Sequence, residues 1–274
     1  MRISYFIRNH LKPVLRKYIY YPLDIIDKII GKNPLIPPRS MVFIGNGDFK
    51  KVGHIFNDYF IKYGGLLPNQ KVLDIGCGIG RMALPLTTYL SNKGEYWGFD
   101  IAKNGVEWCN KSYACFSNFH FIHSDVYNQM YNIEGKGSAS EYIFPFEDDS
   151  FDFCFLTSVF THMLPSEVEN YVKEISRVLK NGGKCLVTFF ILNDESINLI
   201  QNHQSSIDIK HKCNGYSTVN PAVPEDAIGY PETWIISLFR KYNLEVTIPI
   251  KYGNWCGRDN YLSFQDIIIV LKNI

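Results

Sequence analysis

The chain has 274 residues, of which 46% are hydrophobic, 20% charged and 15% aromatic, and its formal net charge is +1. That length suffices to bury a substantial core, and the near-neutral balance offers no general basic field for nucleic acid. No apolar run reaches the ~18 residues of a transmembrane helix, and the seven cysteines (77, 109, 115, 154, 185, 213, 256) form no C-x-x-C pair. Buried reduced thiols in a cytoplasmic protein, without structural zinc or another metal, are the economical reading.

Residues 1–32 carry seven lysines and arginines (2, 8, 12, 16, 17, 28, 32) against Asp24 and Asp27. Interleaved with them are Tyr5, Phe6, Tyr18, Ile19, Tyr20, Tyr21, Ile25, Ile26, Ile29 and Ile30. Basic residues interrupt each short apolar stretch, so the segment does not read as a secretory signal. A basic, aromatic-rich amphipathic segment can lie on an anionic membrane surface. More often such a helix packs on its own domain, lysine stems covering apolar surface. Packing on the domain is therefore expected, with peripheral membrane contact through 1–32 as the alternative. Gly31, Pro34 and Pro37-Pro38 then break the chain and open an extended passage over 37–53. HIFNDYFIKYGGLL (54–67) has helical apolar spacing and ends at Gly64-Gly65, a natural C-cap.

Residues 72–81, VLDIGCGIGR, form a short apolar strand that feeds a glycine-rich turn. Such a turn brings backbone N–H groups up to a ligand with no Cβ in the way. A nicotinamide-type turn reads G-x-G-x-x-G, whereas here the spacing is Gly76, Gly78, Gly80 with Asp74 in front. A carboxylate at that place repels a pyrophosphate and suits a cationic ligand. EYWGFDIA (95–102) reads as a second buried strand ending in Asp100, twenty residues after Gly80. A carboxylate there accepts hydrogen bonds from ribose hydroxyls in dinucleotide-type sites. FHFIHSDVYN (119–128) is a third strand ending in Asp125, and SFDFCFLTSVFTHML (150–164) a fourth that leaves through Thr157-Ser158.

This order of signals resembles the class I, Rossmann-like S-adenosylmethionine (AdoMet)-dependent methyltransferases, strongly over 66–192 and by pattern over 233–274. The resemblance implies that Gly76, Cys77, Gly78, Gly80 and Arg81 lie under the amino-acid end of AdoMet and that Asp74 helps hold its ammonium. It further implies that Asp100 and Ile101 meet the ribose, Asp125 and Val126 the adenine, and Thr157 the fourth-strand side of the site. Family members often fold an N-terminal extension over the cofactor. Residues 1–65 are accordingly expected to form a helical arm and lid, with Phe49 and Asp48 beyond Gly45 and Gly47 as candidate lid residues and Phe49 as a candidate substrate contact.

PSEVENYVKEISRVLKNGGKCLVTFFI (165–191) reads as a helix opened by Pro165, stopped at Asn181-Gly182-Gly183, and followed by a fifth strand. TWIISLFRKYNLEVTIPIKY (233–252) gives a last helix and a strand from about Leu244, and DIIIVLKN (266–273) the closing strand. Two such strands at the end of a parallel sheet suit the family's reversed last strand. The expected fold is therefore α/β, a three-layer doubly wound sheet of seven strands, mostly parallel, over 66–274. Two stretches exceed the minimal fold, 131–146 and 193–233. The second is polar and proline-interrupted. It reads as a substrate cap without a core of its own, joined by 253–262, with Tyr216, Trp255 and Arg258 as candidate substrate contacts.

His162 is the candidate general base for a hydroxyl acceptor, since it follows the fourth strand and its ordinary pKa lies near 6.5. The chain lacks the Asn/Asp-Pro-Pro-aromatic tetrapeptide of base-methylating relatives, having Leu156-Thr157-Ser158-Val159 instead. Methylation of a hydroxyl on a small molecule or saccharide is the leading expectation, by resemblance to bacterial enzymes of secondary metabolism and surface glycans. The alternatives are small-molecule N-methylation, aminopropyl transfer and a non-catalytic AdoMet-binding partner protein.

Overall fold

The computed structural model describes residues 12–31, 33–43, 45, 47–129 and 131–273. The first eleven residues of the basic N-terminal segment, and Lys32, lie outside them. Among the described residues seven α-helices follow in chain order: α1 (Lys12–Ile29), α2 (Phe49–Tyr59), α3 (Ala83–Tyr89), α4 (Lys103–Ser112), α5 (Pro165–Val178), α6 (Asp194–Gln201) and α7 (Glu232–Lys241). The main sheet has the order β3 (Phe119–His123), β2 (Glu95–Asp100), β1 (Lys71–Ile75), β4 (Phe151–Leu156), β5 (Leu179–Phe189), β11 (Asp266–Lys272), β10 (Leu244–Val246). All neighbours are parallel except β11, which runs against both β5 and β10. This is the expected seven-stranded, doubly wound sheet with one reversed strand.

Alternation along the strands sorts the core into two layers. Leu73, Ile75, Cys154, Leu156, Ile268 and Val270 pack with α5 and α7 on one face. Val72, Phe153, Phe155, Ile267 and Ile269 pack with α2, α3 and α4 on the other. The order reverses between β1 and β4, so the crevice at their carboxyl ends is the switch point where open α/β sheets take ligands.

Several boundaries differ from the sequence reading. α2 starts at Phe49 because the Asp48 carboxylate caps it, accepting from the Lys51 N–H at 2.7 Å. It continues as a π turn over Phe60–Gly64 and ends in Gly65, at φ 72°. α5 stops at Val178, and Leu179 already pairs with Phe151; the Gly182 turn, at φ 76°, is a bulge inside β5 rather than a helix end.

The insertion is more ordered than its composition suggests. It holds α6 and a second sheet in the order β6 (Ile191–Leu192), β9 (Ile228–Pro231), β8 (Ser217–Thr218), β7 (His211–Lys212). Phe190, Leu192, Ile200, Ile209, Ala227, Trp255 and Cys256 form a small apolar cluster beneath it. From 193–233 the cluster takes Ile200, Ile209 and Ala227, which pack against Phe190, Leu192, Trp255 and Cys256 from outside that stretch.

Helix α1 is turned opposite to the packing expectation. Its Asp24 accepts from the backbone N–H of Arg39 at 2.6 Å and from the Ser40 hydroxyl at 2.6 Å, and Asp27 pairs with the Arg39 guanidinium at 3.0 and 3.1 Å. The polar stripe therefore faces the body of the protein.

Candidate active site

The glycine turn is locked to the end of β2. The N–H groups of Gly76 and Cys77 both donate to the Phe99 carbonyl, at 2.9 and 3.0 Å, and Gly78 N–H donates to Asp100 Oδ2 at 2.7 Å. The other carboxylate oxygen of Asp100 accepts from Ala102 N–H at 2.7 Å, at the start of α4. Gly76 and Gly78 have φ of 85° and 58°, the left-handed region that glycine enters without a Cβ penalty. A Cβ on Gly76 would stand 2.4 Å from the Val159 side chain, so the turn after β1 and the turn after β4 touch at this point.

Asp74 is 1% exposed. One oxygen accepts from the Tyr96 hydroxyl at 2.7 Å; the other, Oδ1, is buried without a hydrogen-bond partner among the described residues. Burial pushes its pKa up to about 8, against the opposing Tyr96 hydrogen bond and with Asp100 adding to the rise. Burial also raises Asp100, opposed by the backbone donors at Ala102 and Gly78. Arg81 follows the turn, its pKa lowered by burial, and its guanidinium lies beside Gly45 of the N-terminal passage. From that passage Phe43 also reaches Gly105 on α4, which itself approaches the Gly78 carbonyl.

Ile101 continues from Asp100, and its carbonyl lies 3.3 Å from the His123 ring. β3 ends at His123, two residues before Asp125. Asp125 is exposed and Val126 buried, and the 131–146 stretch folds back on them: Lys136 and Gly137 N–H donate to the Asp125 carbonyl. On the β4 side, Thr157 is half-buried and Ser158 has φ 62°. Ser158 N–H donates to Thr188 Oγ1 at 2.7 Å, and its hydroxyl accepts from Gln265 Nε2 at 3.0 Å. A serine held left-handed by two partners at a strand exit is strain of the kind stored at functional sites. Sequence reasoning missed this pair, because Gln265 reaches Ser158 only through the reversed strand.

His162 ends the short turn Phe160–His162, and its Nδ1–H donates to the Glu225 carbonyl at 2.8 Å. The cap therefore holds the post-β4 turn. Tyr230 does the same, its hydroxyl donating to the Met163 carbonyl. Tyr216 is half-buried, with its ring 6.4 Å from that of Tyr230. Burial raises its hydroxyl pKa, and Cys213 and Glu225 add to the rise.

Three of the candidate substrate residues lie elsewhere. Phe49 is a core residue of the α2–α3 layer, because α2 begins there and turns it inward. Trp255 and Arg258 are buried around Asp266: the carboxylate accepts from Trp255 Nε1 at 2.7 Å, Arg258 Nη1 at 2.9 Å, and the N–H groups of Ile191 and Gly253 at 2.7 Å. Arg258 also reaches Glu195 and Asn193. With 4% exposure and these partners, Arg258 fastens the insertion to β11 and does not offer itself to a substrate.

Residues 73–187 match the family model described as a methyltransferase domain. Over this stretch, which is less than half of its length, the chain is similar to methyltransferase domains. Its relatives include a sterol 4-C-methyltransferase of Caenorhabditis elegans, 28% identical over 69% of this chain and 50% of that protein. An uncharacterized methyltransferase of Bacillus subtilis is 29% identical over 69% of this chain and 65% of its own length. The chain thus spans between half and two thirds of these curated relatives. A SAM-dependent methyltransferase from Methanosarcina mazei shares the fold, with a TM-score of 0.54 and 21% identity over 78% of this chain and 97% of that one.

The site fits this methyltransferase domain's cofactor. The orphaned Asp74 oxygen is a buried acceptor that lacks a donor, and an ammonium supplies one. The Gly76–Gly80 backbone leaves room for close approach, and Asp100 keeps acceptor capacity beyond its two backbone donors.

Proposed function

We propose that this chain is an AdoMet-dependent methyltransferase that transfers the methyl group to a hydroxyl of a small molecule or saccharide, with His162 as general base. In this reading Asp74 holds the ammonium of AdoMet, the turn from Gly76 through Gly80 and Arg81 its carboxylate end, Asp100 and Ile101 the ribose, and Asp125 and Val126 the adenine. Thr157 lines the β4 side. When bound, AdoMet supplies a methyl group on a sulfonium, so the chain's own task is to align the nucleophile and take its proton.

The observation that carries the reading is the His162–Glu225 hydrogen bond. A carbonyl can only accept, so in the neutral ring Nδ1 bears the proton and Nε2 is the basic nitrogen. The bond also sets the ring's orientation from the cap side. The polar pair at the β4 exit, Ser158 and Gln265, favours a hydroxylated acceptor over the sterol carbon named for the nematode relative.

S-adenosylhomocysteine release measured against a panel of hydroxylated small molecules and saccharides tests the acceptor class. His162→Ala should lower turnover by roughly 10²–10⁴ and remove the acidic limb of the pH–rate profile, with AdoMet affinity unchanged. Near-normal turnover in that variant, or turnover confined to amine acceptors, would overturn the proposal.

A further inference from the structure

Helix α1 displays an apolar face that nothing among the described residues covers. Leu15, Tyr18, Ile19, Ile26, Ile29 and Ile30 are 50%, 76%, 64%, 51%, 77% and 71% exposed. At 100° per residue they fall on one side of the helix, opposite Tyr20, Asp24 and Asp27. A surface helix ordinarily buries its apolar stripe and shows water its charges; here both carboxylates are bound by Arg39 and Ser40, and the stripe points outward. Contiguous exposed apolar surface of this kind marks an interaction site.

We infer that this face docks on an anionic lipid bilayer surface. Charge decides between the possible occupants. Residues 1–32 hold seven lysines and arginines, and their only carboxylates are Asp24 and Asp27, which are committed inward. A second copy of the helix would bring two basic segments together, whereas an anionic leaflet complements the excess. Tyr18 and Tyr21, 76% and 59% exposed, have the apolar body and polar tip that suit the headgroup level. No described helix is long and apolar enough to cross a membrane, so the helix lies in the interface plane. On its polar side the helix is held by Arg39, four residues before Phe43, which packs beside Gly105.

This inference is independent of the acceptor and is tested without turnover. The full chain is sedimented with phosphatidylcholine vesicles, with and without phosphatidylglycerol. Partition onto the anionic vesicles should be roughly tenfold or more stronger and should weaken with added salt. Ile19→Glu with Ile26→Glu should abolish it while the melting temperature and AdoMet affinity stay the same. Wild-type protein that stays in solution, or binds both vesicle types equally, would overturn the inference. So would a lipid-free dimer that the double substitution dissolves into monomers without any vesicle binding. The vesicle comparison uses the unaltered chain, so it decides the matter even if the variant fails to fold.

Discussion

Gly78 donates its N–H to Asp100 Oδ2 at 2.7 Å, which ties the carboxylate at the end of β2 into the glycine turn. Asp100 therefore has two jobs, since its other oxygen caps Ala102. Asp100→Ala is expected to lose charge-assisted hydrogen bonds worth about 1.5–3 kcal/mol of AdoMet affinity. Asp100→Asn should recover part of that loss, because it keeps one acceptor oxygen. Calorimetry giving equal affinity in wild type and both variants would remove Asp100 from the cofactor site.

Asp74 makes the site pH-sensitive. Burial raises its pKa to about 8 from an unfolded value near 3.8, so the native state binds a proton that the unfolded chain has released. Its contribution to stability is thus fully present below about pH 4 and is lost as pH rises toward 8. A cationic ligand favours the ionised form, so AdoMet affinity should climb as pH rises toward about 8, with proton release on binding. Asp74→Asn should flatten this dependence. Titrations across that range showing constant wild-type affinity would refute the assigned ammonium contact.

Arg258 tests structure against substrate binding. It is almost fully buried against Asp266, and removing one partner of such a pair typically costs about 3–5 kcal/mol. Arg258→Ala should therefore lower the melting temperature markedly. Arg258→Lys should restore only part of it, since one ammonium cannot reach Asp266, Glu195 and Asn193 together. An Arg258→Ala protein with wild-type stability and a raised acceptor KM would return the residue to the substrate site.

Tyr216 gives the cap its own test. Tyr216→Ala is expected to raise acceptor KM several-fold while AdoMet affinity stays the same, because the side chain lies on the cap side with Glu225 and Tyr230. A variant with unaltered acceptor kinetics would place recognition elsewhere.

The sheet was legible because strands buried on both faces read as apolar runs, and because the glycine turn and Asp100 have few local alternatives. The orientation of helix α1 was not. Amphipathic spacing reveals two faces but not which one meets the body, and that was decided by Arg39 and Ser40, more than ten residues away. Trp255 and Arg258 misled for a similar reason: their partner, Asp266, opens an otherwise apolar strand, and only pairing β11 with β5 brings it under the insertion. Phe49 failed through a boundary, since the Asp48 cap starts α2 five residues earlier than the apolar spacing suggests. The Ser158–Gln265 pair left no local signal at all, because left-handed serine at a strand exit is imposed by tertiary contacts.

The measurement closest to the central claim is calorimetric titration of AdoMet into the full chain, beside Gly78→Val. The account predicts one site per chain in the wild type. In the variant it predicts a folded protein that no longer binds, because valine does not tolerate φ 58° and its side chain would stand where the cofactor must approach. Absence of wild-type binding, displacement of AdoMet by a dinucleotide, or equal affinity in a folded Gly78→Val protein would contradict it.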